Sequence, residues 1–591
     1  MYTAAMALLD ALREAGVSHI FANFGSDHPA LIEAIAEARA TGHVIPMVVT
    51  CPNEMVALSC AHGFAQVSGQ AQAVIVHVDC GTQALAGALH NAARGRVPVF
   101  IFAGLSPATQ EGEAIGNRNE FIHWLQDVSD QRGIVRPYVK YEHEIRTPAN
   151  IKQIVRRAVQ IAESEPKGPV YLVAAREVLE SEAPAVAIDR RRWSPIGAAA
   201  LPADAVAMLV DRLARAHRPL VVTSYVGRQV AAVDELTRLC GRLAVGVLES
   251  VPAYMNFPPS DPLHQGSQWN QPVQNVALAE ADVVLVLDSD VPWVPMVNRP
   301  AASAEIFHID TDPLKPSMPL WYIGAAACFR ADALTALRQM NSHLDGVAID
   351  GEAAEARRRH YARRHAALAA ERINRARAGE RTITAEFLTA GLRDHIGDDA
   401  IVLNEGITNY DVIFDQLARS RPGTILASGG SSLGWSGGAA IGAKLAAPER
   451  TVVSLTGDGS YLFSVPSTVH WMARRYRTPF LTVIYNNGGW RAPKLSALAV
   501  HPAGYAAQAA DIGVGFDPAP DYGGIAAAAG GAFARRVQRP EEVDDAIAQA
   551  LDAVRTQKRA AVLDLADNDR ISNYCSLCEH HSFGAPGGRF A

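Results

Sequence analysis

Short apolar runs alternate with segments of helical periodicity along most of the chain, and many of the runs stop at turns built on glycine or asparagine. Together these observations predict an α/β protein of doubly wound parallel sheets. At 591 residues the chain is too long for one core, so the pattern is expected to divide among two to four domains.

Residues 1–185 form the first expected unit. Its opening stretch carries Asp10, Arg13 and Glu14 among apolar residues at helical spacing, which reads as an amphipathic helix and not a secretory leader. His19 to Phe24, Val44 to Thr50, Ala73 to Val78, Val97 to Ala103 and Val170 to Ala174 read as strands. Ser181 to Pro202, rich in Ala, Pro and Arg, reads as an exposed linker. A second, smaller unit is expected over 200–345, with strands at Pro219 to Ser224, Ala244 to Leu248, Val283 to Leu287 and Glu305 to Ile309. No GxGxxG opens a helix there, and Thr223 to Arg228 carries one glycine, which favours a plain loop over a phosphate cradle. Residues 346–380 read as a helical linker. It is basic, but glutamates interrupt the charge, so a solvated helix fits better than a nucleic-acid contact. A third α/β unit is expected over 381–570, with strands at Ile401 to Asn404 and Ile425 to Ala427 before the stretch taken up below, followed by a tail, 571–591. The tail holds Cys575, Cys578, His580 and His581, but one CxxC with histidines so close makes poor tetrahedral geometry for zinc.

Composition narrows the function. Apolar content of 49% and charged content of 19% are those of a globular protein. A net charge of −7 gives no general attraction to nucleic acid or an anionic membrane, which points to a small-molecule partner. No run of eighteen apolar residues exists to span a bilayer. Seven scattered cysteines suit reduced thiols in the cytoplasm.

The most informative stretch runs from Val453 to Trp490. An apolar run ends at Gly457-Asp458-Gly459, a helical segment follows with Val465, Val469 and Met472 on one face, and a second run, Phe480 to Tyr485, ends at Asn486-Asn487-Gly488-Gly489. Parallel strands would bring both turns to the carboxyl edge of one sheet, where such sheets bind ligands. Asp458 with an amide oxygen of Asn486 or Asn487 would suit magnesium, and the glycines would let N–H groups reach a phosphate. Ordinary turn chemistry also fits, because Asp-Gly and Asn-Gly are common turn pairs.

GDG, a helix, a strand and NN resemble the thiamin-diphosphate signature, with twenty-nine residues from Asp458 to Asn487. Alignment from Pro479 then favours Asn487 and the Gly489 carbonyl as metal ligands beside Asp458. The segment NEMVALSCAHGFAQVSG resembles the one that carries the family's activating glutamate. The resemblance extends over nearly the whole chain and implies three such domains (pyrimidine-binding, central and diphosphate-binding). It also implies thiamin diphosphate and Mg2+ as cofactors.

The resemblance further implies that Glu54 hydrogen-bonds the aminopyrimidine ring and starts the proton relay that activates the cofactor. Gly457, Gly459 and Ser460 would meet the diphosphate. Ser431, Ser432 and Leu433 would grip the cofactor, with Leu433 wedging it into a bent shape. Gly25 to Pro29 and His77 to Gln83 resemble loops presented to substrate, so Asp27, His28 and His77 become candidate catalytic residues, against bland readings as loop and strand-end residues. Gln83, Gln126, Trp490 and Lys494 are candidates for the substrate wall. In this family the central domain is structural or binds FAD or a nucleotide.

The implied activity is that of an acetolactate synthase-like or benzoylformate decarboxylase-like enzyme, a lyase or transferase acting on a 2-oxo acid. The alternatives are a 2-hydroxyacyl-CoA lyase or oxalyl-CoA decarboxylase-like enzyme with an acyl-CoA substrate, or a non-catalytic nucleotide-binding homologue. Intact Glu54, Asp458 and Asn487 speak against the last. The resemblance also implies a homodimer or homotetramer with active sites at the subunit interface.

Overall fold

A computed structural model of the chain describes residues 1–377, 382–509 and 512–566. Cys575, Cys578, His580 and His581 lie outside the described residues. Among the described residues eighteen strands form three six-stranded sheets in which every strand pair is parallel.

The first sheet contains β1 (His19–Ala22), β2 (Met47–Thr50), β3 (Gln72–Val76), β4 (Val99–Leu105), β5 (Tyr141–Ile145) and β6 (Val170–Ala175), in the order β2-β1-β3-β4-β6-β5. The second contains β7 (Pro219–Thr223), β8 (Gly246–Ser250), β9 (His264–Gln268), β10 (Val283–Leu287), β11 (Glu305–Asp310) and β12 (Ala327–Arg330), in the order β12-β11-β10-β7-β8-β9. The third contains β13 (Ile401–Glu405), β14 (Ile425–Leu426), β15 (Val452–Gly457), β16 (Leu481–Asn486), β17 (Phe533–Val537) and β18 (Ala561–Ala566), in the order β14-β13-β15-β16-β18-β17. The first and third sheets therefore share one topology.

Six helices position the features discussed below: α1 (Glu54–Ser68), α2 (Asp79–Arg94), α3 (Gly351–Arg375), α4 (Trp435–Ala446), α5 (Asp458–Phe463) and α6 (Pro466–Arg475). α1 and α4 join the outer sheets into one core, in which Val56, Cys60 and Phe64 pack with Trp435, Ala439 and Ala443. Small residues allow the close approach. A Cβ on Gly442 would lie 1.9 Å from the Cys60 carbonyl oxygen, and one on Gly63 would lie 2.3 Å from that of Ala439.

Three expectations need correction. The segment after Asp458 is two helices, because Val465 takes a left-handed φ of 54° and breaks α5 from α6. α3 is not solvated throughout: buried Arg357 donates to the carbonyls of Leu243, Ala214 and Ala216, and the buried Tyr361 hydroxyl donates to Pro219. The strands β5, β9, β12, β17 and β18 were not foreseen.

Candidate active site

β15 and β16 are parallel neighbours, with Gly457 opposite Tyr485, so their carboxyl ends release Asp458 and Asn487 side by side. Asp458 Oδ2 accepts from the N–H groups of Gly488 and Gly489, each at 2.8 Å, and Oδ1 accepts from Gly459 at 2.8 Å. Burial pushes the Asp458 carboxyl up to about 6 against the pull of these donors. Asn486 is engaged elsewhere: its Nδ2 donates to Asp564 Oδ1 at 2.7 Å, and its Oδ1 accepts from Gly488 at 3.1 Å. Asn487 Oδ1 is buried with no hydrogen-bond partner, a loss of about 1–3 kcal/mol that a bound cation would recover.

These residues fit a hard dication. One carboxylate, one orphaned amide oxygen and the Gly489 carbonyl make an all-oxygen set of the kind magnesium takes. A Cβ on Gly457 or Gly488 would meet open space, so the turns border room for a ligand. Gly459 and Ser460 lie in the first turn of α5, the end of a helix that favours an anion, although the Gly459 N–H is taken by Asp458 Oδ1. Trp490 closes one side: a Cβ on Gly459 would come within 2.4 Å of its ring, and its other contact is edge-on to Phe516 at 5.2 Å. Lys494 is half-exposed and makes no hydrogen bond or ion pair among the described residues.

The loop before α4 is held by residues that the sequence did not single out. Ser432 N donates to Asn91 Oδ1 at 2.9 Å, and Asn91 Nδ2 donates back to the Ser432 carbonyl at 2.8 Å. Buried Glu405 accepts from the N–H groups of Trp435 and Ser436 at 3.0 and 2.8 Å, capping α4. Ser431 takes a left-handed φ of 58°. Between these anchors Leu433 stays half-exposed.

At the carboxyl edge of the first sheet, Asn53 caps α1 by accepting from Val56 N at 3.1 Å, and this places Glu54 at the helix start. Asn23, at the end of β1, donates to Glu54 Oε1 at 3.0 Å. A Cβ on Gly81 would crowd both Glu54 Oε1 and His77 Cβ at 3.3 Å, so Glu54 and His77 share one corner. His77 Nδ1 meets Asp27 Oδ1, and His77 Nε2 meets Gln126 Oε1 at 2.8 Å. The hydrogen bond to Asp27 raises the His77 pKa above its ordinary value despite burial, and Gln126 adds to the effect. Burial alone would push Asp27 up, but His28 and His77 outweigh it and hold the carboxyl well below its usual range.

His28 does not face the open edge. It is fully buried, with Nδ1 3.1 Å from both Asp27 Oδ1 and Gly25 N, so it supports Asp27 from behind. Gln83 is exposed on α2, 3.4 Å from Asp79, and does not join the cluster. Among the described residues, no hydrogen bond connects Glu54 and His77 to the Asp458 turn.

Matches to known families agree with this layout. Residues 2–134, 206–318 and 406–565 match the N-terminal TPP-binding, central and C-terminal TPP-binding domains of thiamine pyrophosphate enzymes. A probable 2-ketoarginine decarboxylase of Pseudomonas aeruginosa is 26% identical over 499 residues, covering 82% of this chain and 81% of that one. Benzoylformate decarboxylase of the same organism is 27% identical over 515 residues, covering 83% and 87%. The solved 4-hydroxybenzoylformate decarboxylase of Rhodococcus jostii RHA1 shares the fold, with a TM-score of 0.75 at 22% identity, over 95% of this chain and 99% of that one. With all three domains matched in order, the chain belongs to the thiamin-diphosphate-dependent enzymes of the acetolactate synthase and benzoylformate decarboxylase type.

Proposed function

We propose that the chain decarboxylates a 2-oxo acid and releases or ligates the acyl fragment, using thiamin diphosphate held by magnesium. The observation that carries the cofactor half of this reading is the orphaned Asn487 Oδ1 beside Asp458. Asp458, Asn487 and the Gly489 carbonyl would hold the metal, and Gly459 and Ser460 the diphosphate. Thiamin diphosphate supplies the electron sink for the carbanion left when the bond beside a carbonyl breaks.

The chain's own residues supply the proton handling. Glu54, oriented by Asn23, would hold a proton toward the aminopyrimidine ring, and Leu433 would press on the bound cofactor. His77, whose pKa is raised by the hydrogen bond to Asp27, presents a proton at the substrate edge. Gln126 fixes the imidazole plane.

The reading includes a homodimer in which each site takes Glu54 from one copy and the Asp458 turn from the other. Phe121, Trp124 and Leu125 are exposed near Gln126, as is Phe463 at the end of α5. Apolar surface beside both halves of the site supports a second copy covering them.

A panel of 2-oxo acids, offered free and as CoA-linked analogues, with products read by mass spectrometry in thiamin diphosphate and magnesium, tests the proposal. Turnover of no 2-oxo acid would refute it.

A further inference from the structure

The strand order of the second sheet reverses between β7 and β10, the crevice at which a sheet of this topology takes a nucleotide. Here the crevice is stitched shut. The N–H groups of Ser224 and Tyr225, which would face a diphosphate, both donate to the Asp288 carbonyl, at 3.1 and 2.9 Å. The Ser224 and Ser289 hydroxyls meet at 2.7 Å, and both residues are buried. Gly227, the one glycine of the loop, packs on backbone: its N–H donates to Asn256 Oδ1 at 2.8 Å, and a Cβ there would lie 2.1 Å from the Met255 carbonyl.

A buried charge cluster seals the same edge. Arg96, from the turn between α2 and β4 in the first sheet's half, reaches across with only 6% of its surface exposed. Its guanidinium donates to Asp310 Oδ1 and Asp290 Oδ1, each at 2.8 Å, and its carbon lies 5.6 Å from the centre of the Tyr225 ring. Lys315, also buried, bridges Asp290 at 2.7 Å and Asp310 at 2.5 Å. Asp288 lies beneath, 3.8 Å from Arg228, whose closer partner is Glu165 at 2.6 Å. The three cations Arg96, Lys315 and Arg228 are thus faced by the carboxylates of Asp290, Asp310, Asp288 and Glu165, which leaves no unmatched positive charge to draw a phosphate.

We propose that this edge is an interdomain latch, with Arg96 as the intramolecular occupant of the crevice, and that the central domain takes neither FAD nor an adenine nucleotide. The residues present do not fit either group. The latch stands on its own geometry. Its consequence for substrate rests on the function proposed above: the 2-oxo acid is used free and not carried on coenzyme A.

The purified full-length protein is titrated calorimetrically with FAD, ADP and coenzyme A, and separately with thiamin diphosphate and magnesium. The expected result is a colourless protein with no saturable heat from the first three ligands. Co-purifying flavin, or saturable binding of any of the three, would overturn the latch. The thiamin diphosphate titration reports on the Asp458 turns independently, so the two readings fail separately. Arg96→Ala is expected to lower the unfolding midpoint. If that variant does not accumulate, Arg96→Lys, which keeps the charge but cannot fork between two carboxylates, is expected to lower it too. A wild-type midpoint in either variant would overturn the latch.

Discussion

The contact between α1 and α4 positions two candidate residues at once, because Glu54 begins one helix and Leu433 lies two residues before the other. Gly442→Ala tests it. An alanine Cβ would sit 1.9 Å from the Cys60 carbonyl oxygen, against an ordinary contact of about 3.4 Å, so the helices would have to part by roughly 1.5 Å. Replacing a helical glycine by alanine favours the helix by about 1 kcal/mol, whereas forcing a methyl into a packed core costs about 1–3 kcal/mol. The obstacle is main chain and cannot rotate away, so the upper end of that range applies and destabilisation wins by about 1–2 kcal/mol.

Gly391→Ala is the matched control. It also lies mid-helix, but its Cβ would meet Ile547 at an ordinary 3.8 Å, so only the propensity gain of about 1 kcal/mol remains. Calorimetric unfolding should therefore move in opposite directions for the two variants. A Gly442→Ala protein that melts at or above the wild-type temperature would refute the argument that backbone contact dictates this interface.

Three further outcomes follow from the site. Glu54→Gln should bind thiamin diphosphate with near wild-type affinity yet lose about 10²-fold or more in kcat; undiminished turnover would remove Glu54 from the proton relay. Asn487→Leu, which removes the orphaned oxygen at similar volume, should weaken magnesium-dependent cofactor binding at least tenfold by calorimetry while leaving the unfolding midpoint of the cofactor-free protein unchanged or raised. Asp27→Asn should lower the His77 pKa, since the hydrogen bond to Asp27 is what raises it. If protonated His77 serves turnover, the basic limb of the pH–rate profile moves to lower pH, and an unmoved limb would return His77 to a structural part.

Much of this architecture was legible because buried parallel strands announce themselves. β1, β3, β4, β7, β10, β15 and β16 are near-continuous apolar runs, and β1, β3, β15 and β16 end in turns whose residues point to chemistry. The strands that escaped notice lie mostly at sheet edges. β5 (YEHEI), β9 (HQGSQ), β12 (ACFR) and β17 (FARRV) each present residues to solvent, so they lack the run that marks their neighbours. β18 is interior but is interrupted by Asp564, whose carboxylate engages Asn486. That one contact also explains why the residues alone leave Asn486 and Asn487 open and only the family resemblance favours Asn487: a neighbour seventy-eight residues away takes up the first asparagine and leaves the second.

The shared strand order of the outer sheets explains why the remaining partners were invisible. In both sheets the strand order reverses between the first and third strands, and the groups that matter leave those carboxyl ends: Asn23 and His77 in one, Glu405 and Asp458 in the other. The sheets then diverge in what each end does. In the first, the second strand leads into a helix whose opening residue, Glu54, is held by Asn23. In the third, the second strand leads into a loop whose helix is capped by Glu405. Glu54 opens a helix and Glu405 ends a strand, and neither position says in sequence whether the acid faces a ligand or caps backbone; only the partner separates the two. Glu54 is half-exposed and bonded through Oε1 to a side-chain amide, and its second oxygen has no hydrogen bond among the described residues. Glu405 is fully buried, with both oxygens committed to main-chain N–H groups. On that difference Glu405→Gln should cost stability where Glu54→Gln should cost turnover.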